Sequence, residues 1–143
     1  MSRARVLIAD PHPTTRLVAL DALRDHYEVM PLPDEEDPVR ATRKARPDLL
    51  LLGVPPSRSQ SALRACRSLK TEASPPRVAL LDRAGRLSDP QRTLDEWLAD
   101  GVLSGNFEAA ELRKFVDEVM AGQHPVVRGS ASGRGLLSRL FGR

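Results

Sequence analysis

The sequence predicts an α/β domain in which a five-stranded parallel sheet is wound on both sides by helices, a three-layer sandwich followed by a C-terminal tail. Three observations lead there. Short apolar runs alternate with longer amphipathic stretches five times along the chain, the order that builds parallel strands joined by right-handed crossovers. The run Leu49-Leu50-Leu51-Leu52 has no polar face, as expected of a strand covered by helices on both sides. The stretch Glu108–Met120 places Leu112, Phe115, Val116, Val119 and Met120 on one stripe, the mark of an amphipathic helix.

The elements follow in order. Arg5–Asp10 (RVLIAD) has the length and β-branched content of a strand. Pro13 suits a first helical turn, and Leu17, Leu20 and Leu23 recur behind it, with Asp21 and Arg24 on the other side. Tyr27–Leu32 is a second strand. Asp34–Arg46 is polar and helical, its regular part delayed by Pro38. Asp48–Leu52 is the third strand and Gln60–Thr71 the third helix, with Leu63, Cys66 and Leu69 inward. Val78–Leu81 is the fourth strand. Ser88–Ala99 carries Leu94, Trp97 and Leu98 at helical spacing, and Gly101–Ser104 is a short fifth strand. Beyond Gly122 the composition turns to that of a linker, Gln123–Arg134, and then to a peptide, Gly135–Arg143. The domain is thus expected over residues 1–122, the linker over 123–134 and the peptide over 135–143.

Composition narrows the function. A chain of 143 residues holds one domain and a tail. The formal net charge is +3, from 22 basic and 19 acidic side chains. Arg128, Arg134, Arg139 and Arg143 follow Gly122, where there is no acid, so the body is close to neutral and the tail is basic. That is not the charge distribution of a nucleic-acid-binding domain, and no nucleic-acid partner is expected. Cys66 is the only cysteine, which excludes a disulfide scaffold and a cysteine-built zinc site. His12, His26 and His124 show no metal-ligand spacing, and neither GxxxxGK nor GxGxxG occurs. No apolar stretch approaches a membrane span, and a cytoplasmic protein with no cofactor and no metal is expected.

The pieces "VLIADPHPTTR", "RPDLLLLG", "LRACRSLK", "PPRVALLD" and "FEAAELRKFVDEVMAG" are similar, in order and spacing, to the receiver domains of bacterial two-component response regulators. The resemblance spans about Val6–Gly122 and implies a flavodoxin-like receiver fold. It also implies a phosphorylation pocket: two acids after strand one and an acceptor Asp after strand three to hold magnesium, a hydroxyl after strand four, a lysine after strand five, and an aromatic switch residue. Magnesium ligands and fixed positive charge are what a transferring phosphoryl group demands. Mapped onto this chain, Asp10 matches the first acid. Pro11 stands at the second and Gly53 at the acceptor. The hydroxyl falls on Leu81 or, with a one-residue slip, Asp82. Val102 takes the switch position and Gly105 that of the lysine, followed by Asn106. Asp10 alone keeps the family's residue. The chain therefore resembles the degenerate, pseudo-receiver class.

The expected function is accordingly non-catalytic: a phosphorylation-independent, receiver-like adaptor or scaffold that binds proteins. The resemblance points to the face of helix four, strand five and helix five for partners or a homodimer, with Arg92, Asp95, Glu96, Arg113, Lys114 and Asp117 on it. The tail offers a second contact, since Leu136, Leu137, Leu140 and Phe141 make one apolar stripe edged by Arg139 and Arg143. Such a peptide is too short for a stable free helix, which needs about 12–15 residues, and gains order by docking. The alternative is a small-ligand sensor with its ligand in the altered pocket around Asp10, Gly53 and Gly105, where the glycines would open space. Asp10, Asp82 and Asp100 are expected near the carboxyl ends of strands, either as an acidic pocket for a cation or small ligand or as loop carboxylates that cap helices or face water.

Overall fold

The computed structural model describes residues 3–32, 37–55 and 59–130. Eleven elements alternate along them: β1 (Arg5–Ala9), α1 (Pro13–Leu23), β2 (Glu28–Pro31), α2 (Pro38–Ala45), β3 (Leu49–Gly53), α3 (Ser59–Lys70), β4 (Arg77–Asp82), α4 (Pro90–Trp97), β5 (Gly101–Ser104), α5 (Ala109–Met120) and β6 (Val126–Arg128). All strand pairings are parallel, in the order β2-β1-β3-β4-β5-β6. The direction of winding reverses between β1 and β3, which opens a crevice at their carboxyl ends. The peptide residues Leu136, Leu137, Arg139, Leu140, Phe141 and Arg143 lie outside the described residues.

Side chains alternate between the two faces of the sheet. Leu7, Leu50, Leu52, Val78, Leu80 and Val102 pack under α3 and α4. Val6, Ile8, Leu49, Leu51, Leu81 and Leu103 pack under α1 and α5. Both faces are dry, which is why β3 needs leucine at consecutive positions. The helices start where the sequence supplies caps. Asp37 accepts from the Val39 amide at 3.0 Å ahead of Pro38, and Asp89 accepts from the Arg92 amide at 3.1 Å ahead of Pro90. Glu108 and Glu111 form a reciprocal capping box on α5. Each cap contributes about 1 kcal/mol. Cys66 is buried in the core, where burial pushes its thiol up to about 12.

The structure corrects three expectations. The sheet has six strands, not five. The sixth, Val126–Arg128, falls inside the segment whose composition suggested a linker. It pairs with β5 in the register Val102↔Val126 to Ser104↔Arg128, because the outer edge of β5 carries open backbone groups and Val127 covers part of the core. In α1 the buried stripe is Thr15, Ala19 and Leu23, at four-residue spacing, whereas Leu17 is 67 % exposed. In α4 only Leu94 is buried. Leu98 is the left-handed C-cap and is 45 % exposed. Among the described residues no helix is long and apolar enough to cross a membrane.

Candidate functional site

The carboxyl ends of β1, β3, β4 and β5 bring the mapped pocket residues together. Asp10 follows the last residue of β1 and is 7 % exposed. Its Oδ1 accepts a hydrogen bond from the His12 amide at 2.8 Å, at the start of α1. The carboxyl lies directly over Gly53. A Cβ on Gly53 would stand 2.4 Å from both Cγ and Oδ2 of Asp10. The sequence suggested that glycine at 53 opens space; the Asp10 side chain takes the volume directly over it, while Gly53, Asp10 and Pro11 line a cavity of about 590 Å³ on the side of α2 and α3. Burial raises the pKa of Asp10. The His12 amide works against that rise, as do the nearby charges of His12, Arg83 and Arg16.

The other mapped residues do different work. Pro11 is exposed and leads into α1. Leu81 is in register with Gly53 and buried in the core. Asp82 is fully buried. Its carboxylate accepts from the Arg86 and Leu87 amides, each at 2.9 Å, and its carbonyl accepts from the Gly105 amide at 2.8 Å. This carboxylate is committed to the turn after β4. Gly105 has φ +79, with the exposed Asn106 beside it. Val102 is buried within the layer under α3 and α4, away from the surface. Asp100 is not part of this pocket. It precedes β5, at the opposite end of a parallel sheet, where it pairs with Lys70 at 2.7 Å and accepts from the Val78 amide at 2.7 Å.

Arg83 and Thr15, which the sequence reading passed over, complete the site. Arg83 reaches from the turn after β4 to donate to Thr15 Oγ1 of α1 at 3.1 Å, and so places a guanidinium near Asp10. Only the position of Arg83, directly after the last residue of β4, signalled it. Asp10, Pro11, His12, Leu81, Arg83 and Asn106 line a cavity of about 650 Å³. The arrangement offers one desolvated carboxyl with the Arg83 guanidinium and that of Arg16, which donates to the Asp10 carbonyl at 3.3 Å, beside it. Asp10 and Asp82 are the acids at this end of the sheet among the mapped positions, and Asp82 is spoken for. Among the described residues no three His, Cys, Asp or Glu side chains gather as a metal site.

The face of α4, β5 and α5 differs from a bare strand edge between two helices. β6 lies along β5 there and touches α4. The Gly129 amide donates to the Ser104 carbonyl at 2.7 Å, and Ser130 donates through its amide and hydroxyl to Glu111 Oε2 at 2.9 and 2.8 Å. On the helices Arg92 pairs with Glu96 at 2.7 Å and Arg113 with Asp117 at 3.2 Å. Asp117 also accepts from the Tyr27 hydroxyl, whose pKa burial and that bond raise to about 12.

No protein-family model matches the chain, and no curated protein sequence matches it. Solved structures do. A response regulator from Thermotoga maritima superposes with a TM-score of 0.70 at 20 % identity, over 83 % of this chain and 98 % of its own. The chemotaxis response regulator CheY4 of Vibrio cholerae gives 0.69 at 21 %, over 82 % of this chain and 99 % of its own. A LuxR-family two-component response regulator from Aurantimonas sp. SI85-9A1 gives 0.66 at 20 %, over 99 % of both chains. The fold is that of response-regulator receiver domains.

Proposed function

We propose that this receiver-fold chain is a phosphorylation-independent, cytoplasmic adaptor that binds protein partners and performs no phosphoryl transfer. The observation that carries the reading is the Asp10 carboxyl seated where a side chain at 53 would begin. The acceptor position holds no nucleophile, and its neighbour occupies the space one would need. Leu81 and Gly105 supply neither the hydroxyl nor the cation that a phosphoryl group requires. In this reading partners meet the outer surface of the domain, and the peptide 135–143 makes a second contact through Leu137 and Phe141. A homodimer through the α4–β5–α5 face packs on β6 rather than on β5.

The cavity bounded by Asp10, Arg83 and Asn106 favours a second reading, a sensor for a small ligand bearing both an anionic group and a hydrogen-bond donor. Three measurements test these readings. Intact mass after incubation with acetyl phosphate and magnesium should show no adduct; one base-labile phosphoryl group per chain would refute the adaptor reading. A pull-down with the full chain and with a chain cut after Ser130 should return proteins, and the difference should show what the peptide selects. Native mass spectrometry that finds a stoichiometric small molecule, with no protein captured, would establish the sensor instead.

A further inference from the structure

We propose that the outer edge of β6 pairs with the same edge of a second copy of this chain, joining two sheets across a two-fold axis. This names the surface of the homodimer in the adaptor reading above and rests on that reading's use of the domain without phosphate. The edges of the described sheet are β2 and β6, and the chain treats them differently. On β2 the Glu28 amide donates to the Ala4 carbonyl and the Leu32 amide to the Ile8 carbonyl. The alternating residues, Val29 and Pro31, therefore turn their backbone groups outward. Pro31 has no N–H, which blunts that edge against pairing. On β6 the Pro125 carbonyl accepts from the Val102 amide at 2.9 Å, and the Gly129 amide donates to the Ser104 carbonyl at 2.7 Å. Val126 and Arg128 are thus the outward residues. Each has both an N–H and a carbonyl to offer, and each is exposed.

The pattern selects a second copy as the occupant. With Val127 on the two-fold, Val126 of each copy stands opposite Arg128 of the other. Each such pair exchanges N–H···O bonds in both directions, as antiparallel hydrogen-bonded pairs do. One patch serves both copies, which is what a closed two-fold dimer requires. The side chains match as well. Val127 covers the α1–α5 side of the sheet, so by alternation Val126 and Arg128 lie on the α4 side. Val126 is 37 % exposed and Leu98, at the end of α4, 45 % exposed, which leaves apolar surface beside the edge. Antiparallel pairing lays the aliphatic stem of Arg128 against the partner's Val126 and carries its guanidinium toward the last turn of the partner's α4. Asp95 in that turn is exposed, and neither Asp95 nor Arg128 has an ion-pair partner among the described residues. A three-residue strand buries little area, so the dimer belongs with the weak, reversible interfaces.

The test is sedimentation velocity of the full chain across the micromolar range, with residue-level amide exchange measured by NMR at both ends of it. The dimer fraction should rise with concentration. The Val126 and Arg128 amides should exchange freely in dilute solution and slow in step with the dimer fraction, whereas the Gly129 amide, bonded to Ser104, stays protected throughout. Val126→Pro removes an outward N–H and leaves the bonds to β5 in place. It should weaken the dimer at least tenfold without lowering the melting temperature of the dilute protein. Arg128→Glu should weaken it several-fold. A monomer at every concentration would overturn the proposal, as would unchanged dimerisation of folded Val126→Pro. A dimer whose Val126 and Arg128 amides stay unprotected would overturn it by placing the contact elsewhere. Protection already present in dilute solution, and lost in a chain cut after Ser130, would assign the edge to residues 131–143 of the same chain instead. A monomer leaves the adaptor reading standing, and a phosphoryl adduct in the mass measurement leaves edge pairing standing, so the two failures are told apart.

Discussion

Replacing Gly53 by Asp restores the residue type that a receiver would have at this position, and the structure says it should damage the protein without activating it. A new Cβ would lie 2.4 Å from Cγ and Oδ2 of Asp10 and 2.9 Å from its Cβ, against about 3.5–4.0 Å for comfortable carbon contacts. Asp10 must swing away, giving up its bond to the His12 amide. Overpacking of this kind costs about 1–3 kcal/mol. Two carboxyls forced together in a partly desolvated site add either repulsion or a protonation cost. A total near 3 kcal/mol, with a urea m-value of about 2 kcal/mol/M for a domain of this size, lowers the unfolding midpoint by about 1.5 M. The partner experiment is Asp10→Gly/Gly53→Asp, which removes the obstruction. It should recover at least half of the loss, a coupling above about 1 kcal/mol. Acetyl phosphate with magnesium should label neither protein, since Pro11 and Gly105 leave the metal and the charge stabilisation incomplete. An unfolding midpoint for Gly53→Asp equal to wild type, or strictly additive effects in the cycle, would refute the packing argument. Magnesium-dependent labelling of the single variant would refute the chemical one.

Three further outcomes are expected. Burial gives Asp10 a higher pKa in the folded chain than in the unfolded one, so its ionisation opposes folding as pH rises above the ordinary carboxylate range, and the penalty vanishes below that range. Asp10→Asn keeps an acceptor for the His12 amide and should raise the melting temperature at neutral pH but not in acid; an equal gain at both would contradict the assignment. Gly129→Ala would put a Cβ 1.9 Å from the Asn106 carbonyl oxygen, backbone against which nothing can rotate away, and should cost about 1–3 kcal/mol in thermal unfolding. A chain cut after Ser130 should melt like the full chain, whereas one cut after Gly122 should lose about 1–2 kcal/mol with the burial of Val127; identical melting of both would mean that β6 adds nothing to the fold.

What the sequence revealed, and what it hid, follows from the range of the interactions. The alternation of β1 to β5 with α1 to α5 was legible because burial on both faces writes itself as unbroken apolar runs, and helices write theirs as a stripe. Val126-Val127-Arg128 is too short to carry such a pattern, and Pro125 and Gly129 flank it with linker-like residues; only the open edge of β5 makes it a strand. The α1 stripe was misjudged because the conspicuous leucines at three-residue spacing drift around the helix, while the inward positions are small, Thr15 and Ala19, one of them held by Arg83. Gly53 is legible in the sequence as a position without a side chain. What stands over it is Asp10, distant along the chain and adjacent across the sheet, and no local pattern records that meeting. Asp82 and Asp100 look alike in sequence; strand direction alone puts them at opposite ends of the sheet.

Asp10 and Gly53 are better understood as one unit than as a surviving acid and a missing one. The carboxyl bonds the amide that begins α1, fills the volume over β3 and sits near the Arg83 guanidinium, so the pocket is neutralised from within by protein groups. The receivers that the chain resembles leave that neutralisation to a metal ion, and a phosphoryl group then adds negative charge, so that such a pocket changes state when they arrive. Here a cation near Asp10 is covalently part of the chain, its guanidinium tied to Thr15. At the other end of the signalling path β6 lies along β5, tethered through Gly129 to Ser104 and through Ser130 to Glu111, and Val102 is buried in the core. Pocket and edge are thus both held by intramolecular contacts that do not depend on phosphate. In the adaptor reading proposed above, a domain built this way presents one surface constantly, and control over it comes from the partner's presence, its concentration or its own modification.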